Sequence, residues 1–311
     1  MKANSSRRAR TNRYWLLLAG AVSATIATGL AAKTFGDFTT PVSAEIGSDP
    51  SLNTGSNDGC PILSPDGLSL YMATNRPNPT GGGGLDIWVA HRETTTSGWG
   101  APQPLPAPVN TADNEFCPTP IRGKGLFFVR APGTSTTGDI FRTRLDQDGW
   151  RDPERLPDTV NSTAQEWSPA YYEDDAGNEV LYFSSTRTGT QRIFASVNYG
   201  PARAIDELNV GGDAARPNVR SDGREIVFDS FRSPNLGGQD VWIATRESNT
   251  GAWSAPRHLP EVSSNLNDTR ASLSWDGTFL LVGSFRAVPG AEGSADIYVS
   301  SRPRIKGNSG Q

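Results

Sequence analysis

Ser64-Pro65-Asp66-Gly67, Leu70-Tyr71-Met72, Asn75-Arg76, Asp86-Ile87-Trp88 and Trp99-x-x-Pro102 follow one another within forty residues, and the chain repeats that order, with variation, to its end. The clearest landmark recurs as Asp139-Ile140-Phe141, Arg192-Ile193-Phe194, Asp240-Val241-Trp242 and Asp296-Ile297-Tyr298, at separations of 53, 53, 48 and 56 residues. A period near fifty marks a repeat architecture. Upstream of each landmark lies a short apolar run: Leu126-Phe127-Phe128, Leu181-Tyr182-Phe183, Ile226-Val227-Phe228 and Leu280-Leu281-Val282 continue the series. Asp222-Gly223 and Asp276-Gly277 repeat the Asp66-Gly67 turn. Short strands punctuated by Gly and Pro at this period read as four-stranded propeller blades.

The ends of the chain indicate how a ring would close. Trp150-x-x-Pro153, Trp253-x-x-Pro256 and the weaker Asn198-x-x-Pro201 end three further copies, whereas the fifth stops at Arg302 without such a segment. Phe38-x-x-Pro41, followed by Leu52-Asn53, has the form of a repeat tail at the opposite end. The expectation is an all-β, five-bladed β-propeller over residues 34–302, closed by an N-terminal strand around Phe38 and followed by a disordered tail at 303–311. Thirty-three Gly, 23 Pro and eight Trp in 311 residues suit that class, and no stretch of the ring has convincing helical periodicity.

Residues 1–33 have a different character. Lys2, Arg7, Arg8, Arg10 and Arg13 precede an uncharged stretch from Tyr14 to Ala32, and no acid occurs before Asp37. This is the pattern of an export signal. Gly29-Leu30-Ala31 offers small residues for cleavage, and residues 14–32 are also long enough to remain as a single N-terminal transmembrane anchor. The expected location is therefore exported, periplasmic or extracellular, with membrane contact only through this segment. With the five leader cations set aside, 24 of the 29 basic residues stand against 33 acids, a net charge of −9. That balance disfavours nucleic acid and anionic membrane surfaces as partners. Cys60 and Cys117 sit at equivalent repeat positions, each directly before Pro. An oxidising compartment would allow them to pair, provided that neighbouring blades bring their Cα atoms within about 7 Å.

These repeats resemble the WD-like propeller repeat of TolB and related exported bacterial proteins: a Ser-Pro-Asp-Gly-type turn, a Ser-x-Arg and an Asp-Ile-aromatic. The resemblance covers nearly all of the exported part. TolB has six blades and an additional N-terminal domain, neither of which is found here. The resemblance implies fold and compartment, with protein or cell-envelope binding as the usual role and no reaction; the expected partner is an envelope protein or glycan. Within it, Arg76, Arg187, Arg232 and Arg286 are expected to pair with Asp86, Asp240 and Asp296 inside the blades. Arg192 replaces the third-blade Asp, which would leave Arg187 dependent on Glu173, Asp174 or Asp175.

The positions of greatest functional interest lie where each innermost strand begins. Five residues beyond Asn53, Asn110, Asn161 and Ser263 stand Asp58, Glu115, Glu166 and Asp268, while the same count from Asn209 reaches Ala214, beside Asp213. Strand alternation would put Cys60, Cys117, Ser168, Arg216 and Arg270 on the same, axial face. Carboxylates about 8 Å apart at an effective dielectric of about 20 repel by roughly 2 kcal/mol a pair, so the ring needs counter-charges, for which Arg216 and Arg270 are the candidates. Asp58, Glu115, Glu166, Asp268, Arg216 and Arg270 are thus the candidate ligand-binding set, with a self-satisfied structural plug as the competing reading.

A catalytic alternative rests on a second resemblance. Glu166-Trp167-Ser168-Pro169, followed by Ala170-Tyr171-Tyr172, is similar to a stretch of five-bladed furanosidase-type glycoside hydrolases, which would make Asp58, Glu115 and Glu166 the acids. Asp58 lacks the Pro that follows it in that family, and the acid pattern continues into the fifth copy. Phe116 and Trp167 would stack on sugars or pack between blades. His91 and His258 occupy unrelated positions, which leaves zinc sites and Ser-His-Asp triads without support. Gly81 to Gly84 lacks a phosphate-loop ending. No cofactor is expected; a calcium ion at the carboxylates is chemically possible without a dedicated loop motif.

Overall fold

Each repeat folds as one antiparallel sheet, because its apolar runs are too short for anything but strands and Asp-Gly turns return the chain. A computed structural model describes residues 35–79, 84–133, 135 and 137–305. The leader falls outside these residues, and among them no helix is long and apolar enough to cross a membrane. The first strand, β1 (Val42–Ser43), precedes the blades. Blade one comprises β2 (Asp58–Leu63), β3 (Ser69–Thr74), β4 (Asp86–His91) and β5 (Gln103–Pro104). Blade two comprises β6 (Asn114–Ile121), β7 (Gly125–Ala131), β8 (Asp139–Asp146), the short β9 (Gly149–Trp150) and β10 (Glu154–Arg155). Blade three has β11 (Glu166–Glu173), β12 (Glu179–Ser185), β13 (Arg192–Val197) and β14 (Arg203–Ala204). One helical turn, α1 (Asp206–Asn209), leads to blade four: β15 (Ala215–Val219), β16 (Glu225–Ser230), β17 (Asp240–Thr245) and β18 (Arg257–His258). Blade five has β19 (Asp268–Leu273), β20 (Phe279–Ser284) and β21 (Asp296–Ser301), and its fourth strand is β1.

Closure therefore comes from the N-terminal side, as the sequence led us to expect. Val42 pairs with Val299 and Ser43 with Tyr298. The pairing begins four residues past Phe38, the same offset that separates Trp99 from β5, Trp150 from β10 and Trp253 from β18. Phe38 itself is buried with Leu280 and Tyr298, and the Arg302 guanidinium lies 4.4 Å from its ring centre. Beyond Arg302, Arg304 forms an isolated antiparallel bridge with Phe35.

The core lies between blades rather than within them. Leu52, Leu70, Met72, Trp88, Leu281 and Ile297 fill the seam between blades five and one, and Phe127, Val129, Leu181, Phe183 and Phe194 fill that between two and three. Both faces of every sheet are covered, so the middle strands read as continuous apolar runs instead of alternating ones. Burying each such side chain contributes roughly 1.5–3 kcal/mol. Gly67, Gly223 and Gly277 take φ of 71°, 67° and 74° at the Asp-Gly turns, a conformation that only Gly adopts without cost.

Candidate functional site

The repeated Asn and acid both serve as clamps. The Asn53 side chain bonds both backbone groups of Ile297, Asn110 those of Ile87, Asn161 those of Ile140 and Asn209 those of Ile193. Each Asn thus stitches the segment entering one blade to the third strand of the preceding blade. The acid five residues later secures its own blade. Asp58 accepts from the Thr54 backbone N–H and hydroxyl and from Arg76 at 2.6 Å. Glu115 accepts from Thr111 and from Arg130 at 2.7 Å, Glu166 from Ser162, Ser185 and Arg187 at 2.9 Å, and Asp268 from Ser284 and Arg286 at 2.7 Å. All four carboxylates are fully buried.

This corrects two expectations. The turn arginines do not pair with Asp86, Asp240 and Asp296; Arg76, Arg187 and Arg286 pair with the acids that open the innermost strands, and Arg187 needs nothing from the Glu173 turn. Arg232, facing Ala214, instead donates to the carbonyls of Leu208 and Asp213. Arg130 escaped the sequence analysis because it lies within β7, opposite Glu115 and two residues ahead of the position that Arg76 and Arg187 hold in their blades. Asp86, Asp240 and Asp296 take other partners, namely Asn78, His258 with the Leu236 N–H, and the Glu292 N–H. Each keeps one buried, unbonded oxygen, and burial raises the pKa of all three.

The second correction concerns which side chains face the axis. In every innermost strand, two residues oppose one on the neighbouring strand: Cys60-Pro61, Cys117-Pro118, Ser168-Pro169, Arg216-Pro217 and Arg270-Ala271 form five equivalent β-bulges. The first residue of each has a positive φ, at 51°, 52°, 51°, 51° and 56°. Proline follows in four blades, and since it carries no N–H, the interrupted ladder leaves no donor unpaired there. The bulge breaks the alternation on which the axial reading relied. The acids turn into the blades, whereas Cys60, Cys117, Ser168, Arg216 and Arg270, with the residues that follow, line an axial cavity of about 290 Å³ that includes space open to solvent.

Five non-glycine residues held in the left-handed region are a concentration of backbone strain at one point on the axis. Their charges are unequal. Arg216 forms a two-pronged pair with buried Asp229, at 2.9 and 2.5 Å, and also reaches Gln239. Burial pushes the Asp229 pKa up against the opposing pull of Arg216. Arg216 and Arg270 are therefore not counter-charges to the four acids. The Arg270 backbone N–H donates to Asp229 at 3.0 Å, but among the described residues its guanidinium has no ion pair or hydrogen bond. It lies 5.5 Å from the centre of the Phe116 ring, and burial pulls its pKa down to about 10, which leaves it charged at neutral pH. The cavity lining thus carries one uncompensated positive charge.

Phe116 and Trp167 meet edge to face at 5.8 Å between blades two and three. His258 packs against Trp242 with the two rings tilted by 33°. Cys60 and Cys117 are free thiols with their sulfurs 3.3 Å apart. Among the described residues, no group of three or more His, Cys, Asp or Glu is placed to hold a metal ion.

No protein-family model matches the chain, and no curated protein matches it. Among solved structures, it is similar to an α-L-arabinofuranosidase from Lactobacillus brevis, with a TM-score of 0.57 and 12% identity over 84% of this chain and 94% of that one. It is also similar to a thermostable family-43 glycoside hydrolase, with a TM-score of 0.54 and 12% identity over 83% and 93% of the two chains. TolB from Acinetobacter baumannii aligns with a TM-score of 0.49 and 17% identity over 78% of this chain and 53% of that one, so the chain spans about half of that protein. At such identities the likeness establishes the propeller fold and carries no activity with it.

Proposed function

We propose that this chain is a non-catalytic binding module of the cell envelope, whose axial mouth takes an anionic group of a protein or glycan ligand. The observation that carries this reading is Arg270, a charged guanidinium with no ion pair or hydrogen bond among the described residues, in a cavity lined by five strained bulges. Retaining an unpaired charge away from bulk water is costly, and an incoming carboxylate or sulfate would offset that cost. The basic leader followed by an uncharged stretch supports export, which would bring the ring to envelope ligands. The glycosidase alternative requires Asp58, Glu115 and Glu166 to reach a substrate. Their complete burial and their arginine pairs support a structural role instead.

The test is a binding panel of acidic and neutral polysaccharides and of peptides with acidic or amidated ends, run on the full chain and on Arg270→Gln. The expected result is retention of acidic ligands only, weakened roughly tenfold or more by the substitution, as for the loss of a charge-assisted hydrogen bond. Equal retention by both proteins would refute the assignment. Turnover of aryl glycosides that disappears in Glu166→Gln would replace it with the hydrolase reading.

A further inference from the structure

Cys60 and Cys117 belong to adjacent blades, are separated by 57 residues in sequence, and place their sulfurs 3.3 Å apart at the axial cavity. Both side chains are nearly buried, and both backbones are in the left-handed bulge conformation. Both residues open a bulge and line the axial cavity, which is where their sulfurs meet. The hydrogen bonds are asymmetric. Cys117 donates its backbone N–H to the Cys60 sulfur at 3.2 Å, while Ser168 donates its hydroxyl to the Cys117 sulfur at 3.2 Å.

We infer that Cys60 and Cys117 are a redox site, closing to a disulfide that ties blade one to blade two across the axial mouth and opening again under reducing conditions. The final bond needs the sulfurs to approach to about 2.05 Å. A small disulfide such as oxidised glutathione serves as the oxidant by thiol–disulfide exchange. Cys60, whose sulfur accepts the Cys117 N–H, loses its proton to solvent and attacks one sulfur of the oxidant. The oxidant's S–S bond breaks, and one glutathione thiolate leaves and takes up a proton. The Cys117 thiolate, its proton also lost to solvent, then attacks the Cys60 sulfur of the mixed disulfide and expels the second glutathione. Two protein thiols are oxidised by two electrons, and one glutathione disulfide is reduced to two thiols. Burial pushes the Cys117 thiol up to about 12, in keeping with its acting second, inside the mixed disulfide, where proximity replaces acidity. The inference does not depend on the proposed ligand, since it requires only the two sulfurs.

To test it, the full chain is equilibrated with graded ratios of oxidised to reduced glutathione, both as the folded protein and by refolding from urea in the same buffers. Thiols are then trapped by alkylation under denaturing conditions and the intact mass is measured. The expected result by both routes is a monomer that passes from two alkylated thiols to none, two mass units lighter than the reduced chain. Its melting temperature should be higher by roughly 5 °C or more, because the cross-link closes a long loop. Cys60→Ser and Cys117→Ser should each keep one thiol, free or glutathionylated, and show no oxidant-dependent rise in melting temperature. Two thiols still alkylated at the most oxidising ratio, stable glutathione adducts on both cysteines, or disulfide-linked dimers would each overturn the inference.

Discussion

Blade four and the other four blades solve the same problem differently. In blades one, two, three and five, a buried acid at the head of the innermost strand pairs with an arginine of the same blade. In blade four that acid is replaced by Ala214. Arg232 is satisfied by carbonyls, and the carboxylate has moved to Asp229, a strand position that holds Ala73, Val129, Ser184 and Gly283 in the other blades. From there Asp229 reaches the axial residue Arg216, while Arg270, the equivalent residue of blade five, has no anion among the described residues. One displaced carboxylate thus separates a self-contained structural layer of four ion pairs from an axial layer with a charge to spare.

The strongest test of that contrast asks first whether the ring survives without its closing strand. Deleting residues 34–53 removes β1, Phe38 and the Asn53 clamp and exposes the long edge of β21. The expected outcome is an unfolded or aggregated chain by circular dichroism and size-exclusion chromatography. A deletion that melts like the parent would mean that blade five closes without help.

The clamps themselves come next. Arg286→Ala leaves Asp268 buried without its cation and should cost about 3–5 kcal/mol in urea unfolding. Arg232→Ala in blade four strands no carboxylate side chain and should cost no more than about 2 kcal/mol, from lost hydrogen bonds and packing. Equal losses would erase the distinction between the blades. On the axis, Arg216→Ala strands buried Asp229 and belongs with the large effects, at about 3 kcal/mol or more. Arg270→Ala leaves no buried acid unpaired and removes an unpaired charge, so it should leave stability unchanged or raise it by up to about 1 kcal/mol.

The smallest effect concerns the orphaned carboxylates. Burial holds the Asp296 pKa above its unfolded value, so between those two values the folded chain binds more protons and stability falls as pH rises. The penalty is complete above the folded value and absent below the unfolded one. Asp296→Asn keeps an acceptor for the Glu292 N–H and removes the charge. Its melting temperature should exceed that of the parent near pH 7 and converge with it near about pH 3.5, below the ordinary aspartate value of ~3.9. A pH-independent difference would mean that the charge is not responsible.

The sequence by itself determined the ring. The fifty-residue period, the Asp-Gly turns and the displaced Phe38-x-x-Pro41 fixed blade number and closure, because each reflects local chemistry: turn geometry, strand-length apolar runs and a motif missing at one end and present at the other. It also singled out Asp58, Glu115, Glu166 and Asp268 as special, and Cys60, Cys117, Ser168, Arg216 and Arg270 as their companions. What it could not determine was direction. Alternation assumes a regular ladder, and a single extra residue in each innermost strand reverses the faces, turning the acids inward to their arginines and the companions toward the axis. The Pro after four of the five bulges was the one local sign. Which arginine meets which acid, which charge is left over and which two sulfurs touch depend on residues brought together from different strands and blades, and only the tertiary structure sets those distances.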